Sequence, residues 1–345
     1  MATLKEIGEE LGLSAATVSR ALNGFPEVSE ATRKKVREVA DKLGYRPNRV
    51  AQRLVTGRSG MVGMIVKIKP DMSADQTFFE MLTGLTAALA ARDTDLVLAV
   101  DQDGDPVTPY KRLLERDMLD GFILNAPVRN DPRVAFLAER GIPFVLHGQD
   151  RADPDYPTFG IDNHAVSADA VKMLAQLGHR RIALINGELK GAYASDRLDG
   201  FRAAMAEHGL AADLIRNDAS FESHGYTHAL DLLAGPTPPT GFVCASTLIA
   251  SGAMRAVRDR GLSVPGDVSI IAHDDALPLT RAINFEPALT VTRAPLREAC
   301  DPLANMLIDH LNGVPAKDLQ VCLKAELIIR GSSGPAPQPE RSDGR

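Results

Sequence analysis

The sequence predicts an α/β chain: a small all-α head followed by a body of two doubly wound parallel-sheet subdomains. Two observations carry this. Up to about residue 45, apolar residues recur at helical spacing between capping residues. From Met61 onward, short runs rich in Val and Ile alternate with longer helical stretches, the pattern of buried parallel strands joined by right-handed crossovers. A length of 345 residues leaves room for two or three domains, and so many strands favour two sheets over one.

The head reads as three short helices. Thr3-Leu-Lys-Glu6 is a capping box, in which the Thr hydroxyl accepts from the Glu6 N–H and the Glu carboxylate reaches back. Leu4, Ile7 and Leu11 follow at helical spacing, and Gly12 ends the helix. Ser14 caps a second helix with Val18, Ala21 and Leu22 inward, stopped by Asn23-Gly24. Ser29 caps a third with Val36, Val39, Ala40 and Leu43 inward, ending at Gly44. Pro47-Asn48 opens a fourth short helix, from Arg49 to about Val55, ending at Gly57.

In the body, the predicted strands are 61–68, 95–100, 121–125, 143–147, 181–186, 241–246, 267–274, 289–293 and 322–330. Helices between them are expected to begin near Phe78, Pro109, Asp131, Asn163, Asp196, Ser223, Thr247 and Ala294. After Arg330 the chain is rich in Gly, Pro and Ser, so the tail, 332–345, is predicted to be disordered.

Composition narrows the function classes. Hydrophobic residues make up 44% and charged residues 24%, the balance of a soluble globular protein. No run approaches the ~18 apolar residues of a membrane span, and no apolar signal-peptide core follows Met1, so a cytoplasmic location is expected. Cys244, Cys300 and Cys322 have no CxxC spacing and read as buried, reduced thiols. Charge is unevenly divided. Residues 1–60 hold 11 Lys+Arg against 7 Asp+Glu, a net of +4, while the rest is net −10. A basic head on an acidic body suggests that the head alone meets a polyanion.

The first two helices suit a helix-turn-helix, whose second helix enters the DNA major groove with its N-terminal residues on base edges. Thr17, Ser19 and Arg20 lie opposite Val18 and Leu22, and Arg20 has the fork to grip guanine O6 and N7. Ser14, Thr17, Ser19 and Asn23 are short polar groups of the kind that hold phosphates. By spacing alone, this face is either a DNA reader or the solvated side of a small helical bundle.

The motifs decide between the two. TLKEI, SAATVSRALN, VSEATRKKV and LGYRPN together resemble the DNA-binding head of the LacI/GalR family along its whole length. The resemblance implies a head over 1–47 and a hinge helix and linker over 48–60. It places Thr3, Ser14, Ala15, Ala16, Thr17, Ser19, Arg20, Asn23, Tyr45 and Asn48 at the DNA. Ala15 and Ala16 stand where family members vary and operator choice is set; side chains so small offer little beyond contact with a thymine methyl. Ala51 and Leu54 fall at the minor-groove positions of the hinge helix, which in this family folds on the operator. Leu54 either wedges between base steps or packs a linker helix, and its arginine neighbours Arg49, Arg53 and Arg58 favour the wedge.

LDGFILNAP, GIPFVLHG, GHRRIALING, SDRLDGFRAAM, VPGDVSIIAHDD and PALTVTRAP resemble the effector domain of the same family, itself similar to periplasmic sugar-binding proteins. That implies an effector-binding domain over 61–331, with subdomains of about 61–158 plus 293–320 and 159–292 plus 321–331. The ligand it implies is a small molecule, a mono- or disaccharide, held in the crevice at the strand C-termini. Arg197 of SDRLDGF and Asp274 of AHDD carry over as pocket residues, offering donors and acceptors to vicinal hydroxyls. Asn125, Gln76 and Phe78 are further candidates at strand ends. Phe221 either stacks on a sugar face or merely lines the cleft.

Two departures from the family pattern weaken the case for a familiar ligand. Ser246-Thr247 replace the common Asn-Asp pair, and Ala272-His273 replace the usual Gly-aromatic pair, so that His273 either tunes the pocket or plugs the strand end. The family resemblance further implies a homodimer on a pseudopalindromic operator, since the tail lacks the leucine heptads of tetrameric members, and release of DNA on ligand binding. A sugar-binding module without a regulatory role would leave the head idle. An enzyme finds no support: there is no GxxxxGK[ST], GxSxG or HExxH, and no cofactor is expected. His224 and His228 are four apart, without a third metal ligand.

Overall fold

The computed structural model describes residues 2–45, 57–67, 75–101 and 104–338. The chain divides into two units, Met1–Met61 with Arg116–Asp120, and Val62–Glu115 with Gly121–Arg345.

The first unit contains α1 (Leu4–Leu11), α2 (Ala15–Leu22) and α3 (Glu30–Lys42). The capping box at Thr3 forms as expected: Glu6 N donates to Thr3 Oγ1 at 3.3 Å and Thr3 N to Glu6 Oε2 at 2.7 Å. Ser14 and Ser29 cap α2 and α3 by accepting from Thr17 N and Thr32 N. The turn between α1 and α2 is tight. A Cβ at Gly8 would lie 2.4 Å from the Leu13 carbonyl oxygen, so only glycine lets the backbones approach this closely. Ile7, Val18, Ala21, Val28, Val36 and Ala40 form the small core. The predicted hinge helix, with Asn48, Ala51 and Leu54, lies outside the described residues. Where the chain re-emerges, the Asp120 carboxylate accepts from Ser59 N at 2.7 Å and Gly60 N at 2.8 Å.

The second unit contains two six-stranded sheets. β1 (Met61–Lys67), β2 (Asp95–Asp101), β3 (Gly121–Leu124), β4 (Phe144–His147), β5 (Thr158–Ile161) and β11 (Gln320–Leu323) make the first, in the order β11-β5-β4-β3-β1-β2. β6 (Ile182–Ile185), β7 (Ile215–Arg216), β8 (Gly241–Cys244), β9 (Ser269–Asp274), β10 (Thr290–Arg293) and β12 (Glu326–Ile328) make the second, in the order β12-β10-β9-β8-β6-β7. β3 pairs in parallel with β1 and β4, and β9 with β8 and β10, as expected of doubly wound sheets. Only the last short strand breaks the pattern among the described pairings: β12 runs antiparallel to β10.

Helices α4 (Gln76–Ala90), α5 (Thr108–Glu115), α6 (Pro132–Glu139) and α11 (Cys300–Leu311) accompany the first sheet, and α4 and α11 close one core over Val62, Met64 and Val145. The second sheet carries α7 (Asn163–Gln176) and α8 (Ala192–Glu207) on one face, and α9 (Glu222–Leu233) and α10 (Thr247–Asp259) on the other. The backbones of α9 and α10 come so close that a Cβ on Gly252 would sit 2.0 Å from the Glu222 carbonyl oxygen.

Several expectations need correction. β5 and β7 escape the sequence pattern because they are short, at four and two residues. The single strand expected at 322–330 is two strands in different sheets, so the chain crosses between them at 324–325 rather than after 320. The other boundary likewise falls after Ile161, because β5 belongs to the first sheet. Nor is the tail disordered through 338. Ser332 is fully buried, its Oγ accepting from Thr290 N at 2.8 Å and donating to Ile270 O at 2.6 Å. Gly334 O accepts from the hydroxyl of Ser269, and Ala336 N donates to Leu177 O. Serine hydroxyls and backbone amides thus satisfy the sheet's end where apolar burial is scant. Finally, Cys244 and Cys300 are buried, with thiol pKa values pushed up by burial to about 12 and about 11, but Cys322 is exposed because β11 is an edge strand.

Candidate functional site

On α2, side chains divide by face. Val18 and Ala21 are buried in the core, while Ala15, Ala16 and Arg20 are exposed. Ser14 Oγ pairs with Thr17 Oγ1 at 2.9 Å, and Asn23 Nδ2 donates to Ser19 O at 2.9 Å, so these polar groups are oriented by local bonds. The Arg20 guanidinium makes no hydrogen bond or ion pair among the described residues. Thr3 is held in its capping box, and Tyr45 packs against the head core, burial raising its phenol pKa. Arg33 is turned inward instead: Nη2 donates to Phe25 O at 2.9 Å and Nη1 pairs with Glu30 at 3.2 Å.

In the second unit, polar side chains converge where strand C-termini of the two sheets meet. Asn125 follows β3 and His147 ends β4; Asn125 Oδ1 lies 2.9 Å from His147 Nδ1. Arg197, on α8, is only 6% exposed. Its Nε donates to Asn163 Oδ1 at 2.9 Å and its Nη1 to Ala245 O at 2.8 Å, and its guanidinium lies 5.2 Å from the Tyr193 ring centroid. Asp275, just past β9, lies 3.3 Å from His273 Nε2. Burial opposes its charge, but His273, Arg197 and His147 around it hold the carboxyl below the usual range. Burial pushes the His147 imidazole down to about 4, against the pull of Asp275. Burial also lowers His273, with Arg197 adding to the effect.

Sequence reasoning named Asn125 and Arg197 but not their partners: Asn125 pairs with His147, and Arg197 with Asn163, near Asp275. Asp274 is placed differently from its neighbour. Its side chain is 5% exposed, Oδ1 accepts from Ala276 N at 2.8 Å, and Oδ2 lies 3.9 Å from Arg293 Nε. Alternation along the strand separates the two carboxylates, and residue type alone does not distinguish them. Gln76 opens α4, its Oε1 buried and without a hydrogen-bond partner among the described residues, while Phe78 packs on the first sheet's core. Phe221 stands at the N-cap position of α9 without a side-chain cap bond and meets the His224 ring edge-on at 5.4 Å.

The departures serve local structure. Ser246 Oγ caps α10 by accepting from Ile249 N, and Thr247 Oγ1 donates to Thr280 Oγ1. His273 bridges Thr292 of β10 and Asp275. His224 Nδ1 accepts from Ser220 N, and no group of three or more metal-ligating side chains occurs among the described residues.

One loop touches both halves of this region. Ala126 and Asn130 have positive φ, +48° and +51°. Arg133 holds the loop by donating to Asn125 O at 3.1 Å and pairing with Asp131, and the loop presents Pro127 O to Ala192 N at 2.9 Å. From it, Arg129 Nη2 reaches Asp196 at 2.8 Å and Asp199 at 2.6 Å, on the helix that carries Arg197.

Residues 3–48 match the family described as bacterial regulatory proteins, lacI family, and residues 171–333 match a periplasmic binding protein-like domain. The chain is 42% identical over 337 residues to the HTH-type transcriptional regulator AglR of Rhizobium meliloti (strain 1021), covering 97% of this chain and 95% of that protein. Among solved structures, a transcriptional regulator CelR–cellobiose complex superposes with a TM-score of 0.69 at 28% identity, over 96% of this chain and 100% of the other. The lac repressor dimer bound to operator and the anti-inducer ONPF shares the fold, with a TM-score of 0.78 at 24% identity over 96% of this chain and 99% of that one. With its helix-turn-helix head and its periplasmic-binding-protein-like pair of sheets, the chain belongs to the LacI family of bacterial transcriptional regulators, which are DNA-binding proteins and not enzymes.

Proposed function

We propose that this regulator is a homodimeric, cytoplasmic repressor whose affinity for a pseudopalindromic operator falls when a small polyhydroxyl ligand, a mono- or disaccharide, binds among Asn125, His147, Arg197 and Asp275. The observation that carries the reading is the convergence of these four side chains at the strand ends of two sheets, where ligands of open α/β folds bind. A guanidinium, carboxylates and an Asn–His pair supply both donors and acceptors for hydroxyl groups. Asp274 borders the group, the orphan Gln76 Oε1 is an acceptor for one more hydroxyl, and Phe221 offers an apolar ring face. A disaccharide in the complex of a relative 28% identical supports the ligand class.

At the DNA, Arg20 reads a guanine, Ala15 and Ala16 shape the base preference, and Thr3, Ser14, Thr17, Ser19, Asn23 and Tyr45 hold phosphates. Asn48, Ala51 and Leu54 continue the contact, Leu54 as a minor-groove wedge. The ligand changes operator affinity only by favouring one arrangement of the body over another. Thermal-shift profiling of the full chain against a saccharide panel, repeated with operator DNA, tests this reading. A saccharide that stabilises the protein and weakens operator binding supports it; a panel without one contradicts it.

A further inference from the structure

Asp275 and His147 give the candidate effector site two hydrogen-bond acceptors. We propose that Asp275 and His147 together select ligands by their hydroxyl protons, admitting neutral polyhydroxyl compounds and excluding sugar acids and sugar phosphates. This rests on the reading of the group as the effector site.

His147 Nδ1 lies 2.9 Å from Asn125 Oδ1. An amide oxygen only accepts, so Nδ1 carries the ring proton and Nε2 keeps its lone pair. The imidazole is neutral at pH 7, because burial holds its pKa at about 4. His147 therefore presents an acceptor to a ligand. Asp275 presents another. It keeps 27% of its side chain accessible, against 5% for Asp274, although His273, Arg197 and His147 surround it. Both acceptors are satisfied by a hydroxyl and by no group lacking a proton, such as a carboxylate.

Arg197 does not reverse this preference. Its side-on fork, the edge that grips a carboxylate or phosphate through two parallel bonds, is already engaged at Nε by Asn163, and Nη1 is engaged by Ala245 O. Three of its five N–H groups remain for ligand oxygens, but the side-on geometry is closed to a carboxylate or phosphate. Charge is balanced as well. Arg197 and Arg293 face Asp274 and Asp275, with Arg293 Nε 3.9 Å from Asp274 Oδ2. A bound anion would place uncompensated negative charge beside Asp275, and juxtaposed like charges are strongly unfavourable in a desolvated site.

The test is calorimetric binding to the full chain. The neutral probes are glucose, galactose, maltose, cellobiose, melibiose and sucrose; the anionic probes are glucuronate, galacturonate, gluconate and glucose 6-phosphate. We expect at least one neutral probe to bind and every anion to bind at least about 100-fold more weakly. Asp275→Asn keeps the shape and removes the charge, and is expected to narrow that gap at least about 10-fold. The wild-type panel decides independently of how the variant folds. An anion that binds wild type within about 10-fold of the best neutral probe overturns the selectivity and leaves the effector-site reading standing. So does a folded Asp275→Asn protein with an unchanged preference. Binding of neither class overturns the effector-site reading and the selectivity with it.

Discussion

Arg197 Nε donates to Asn163 Oδ1 at 2.9 Å, so a side chain at the start of α7 fixes the guanidinium that α8 delivers to the strand ends. Arg197→Ala is expected to abolish effector binding and to leave operator affinity within about threefold. It also orphans Ala245 O and Asn163 Oδ1, for a stability loss of about 1–3 kcal/mol. Asn163→Ala is expected to weaken effector binding while leaving some of it, since the Ala245 bond remains. Chemical denaturation and calorimetry check both, and an Arg197→Ala protein that still binds effector normally removes Arg197 from the site.

Arg129 links the loop after β3 to the helix that carries Arg197. The three side chains are substantially exposed, so the network contributes only about 1 kcal/mol and is screened by salt. Arg129→Gln is therefore expected to weaken effector binding about two- to fivefold at low salt, with a smaller difference at about 0.5 M. Equal affinities for variant and wild type at low salt show that the link plays no part in holding the site closed.

Arg20 is exposed on α2, beside Ala15 and Ala16. Arg20→Ala is expected to cost ~1–3 kcal/mol of operator affinity and to relax preference at one guanine per half-site. Uniform loss across all sequences, measured by competition binding, makes Arg20 a phosphate contact instead. Operator affinity as a whole is expected to fall steeply with salt. Arg33 is not among the phosphate-neutralising residues, because its guanidinium is bonded to Phe25 O and Glu30.

His179, buried against the segment 331–338, is expected to make stability depend on pH. His179 is buried between Thr240 Oγ1 at 2.9 Å, Ser269 Oγ at 3.0 Å and Gly334 O at 3.1 Å. Burial depresses its pKa below 6.5, with the Gly334 carbonyl opposing. A depressed histidine binds its proton more readily in the unfolded chain, so its contribution is intact above pH 6.5 and declines as pH falls below it. His147 and His273 add the same sign. The melting temperature is expected to drop between pH 7.5 and 5, less so in His179→Gln. Ser332→Ala is expected to cost about 1–3 kcal/mol at any pH by orphaning Thr290 N. A chain ending at Arg330 that melts like wild type contradicts a structural role for the segment.

The three described head helices were legible, because Thr3, Ser14 and Ser29 announce them through chemistry local in sequence. The alternation of strands and helices was legible for the same reason. What escaped depends on distant partners. The run 322–330 has one composition but serves two sheets, and only tertiary pairing reveals the crossing at 324–325. Ser332 looked like part of a disordered tail because its value lies in Thr290 N and Ile270 O, some 40 and 60 residues away. Around the candidate site, Arg197 and Asp274 were singled out through their motifs, whereas Asp275 was not named. One step along a strand end decides which carboxylate remains accessible. His147 was hidden at the end of an apolar strand, where a histidine reads as a core residue.

The most direct test of ligand control over DNA binding is an anisotropy titration of labelled operator with wild type and Arg197→Ala, with and without the saccharide that binds wild type best. Wild type is predicted to lose about 5- to 150-fold in operator affinity when the saccharide is added, and Arg197→Ala less than about twofold from the same starting affinity. Operator affinity of the saturated wild type equal to that of the free protein would contradict the account.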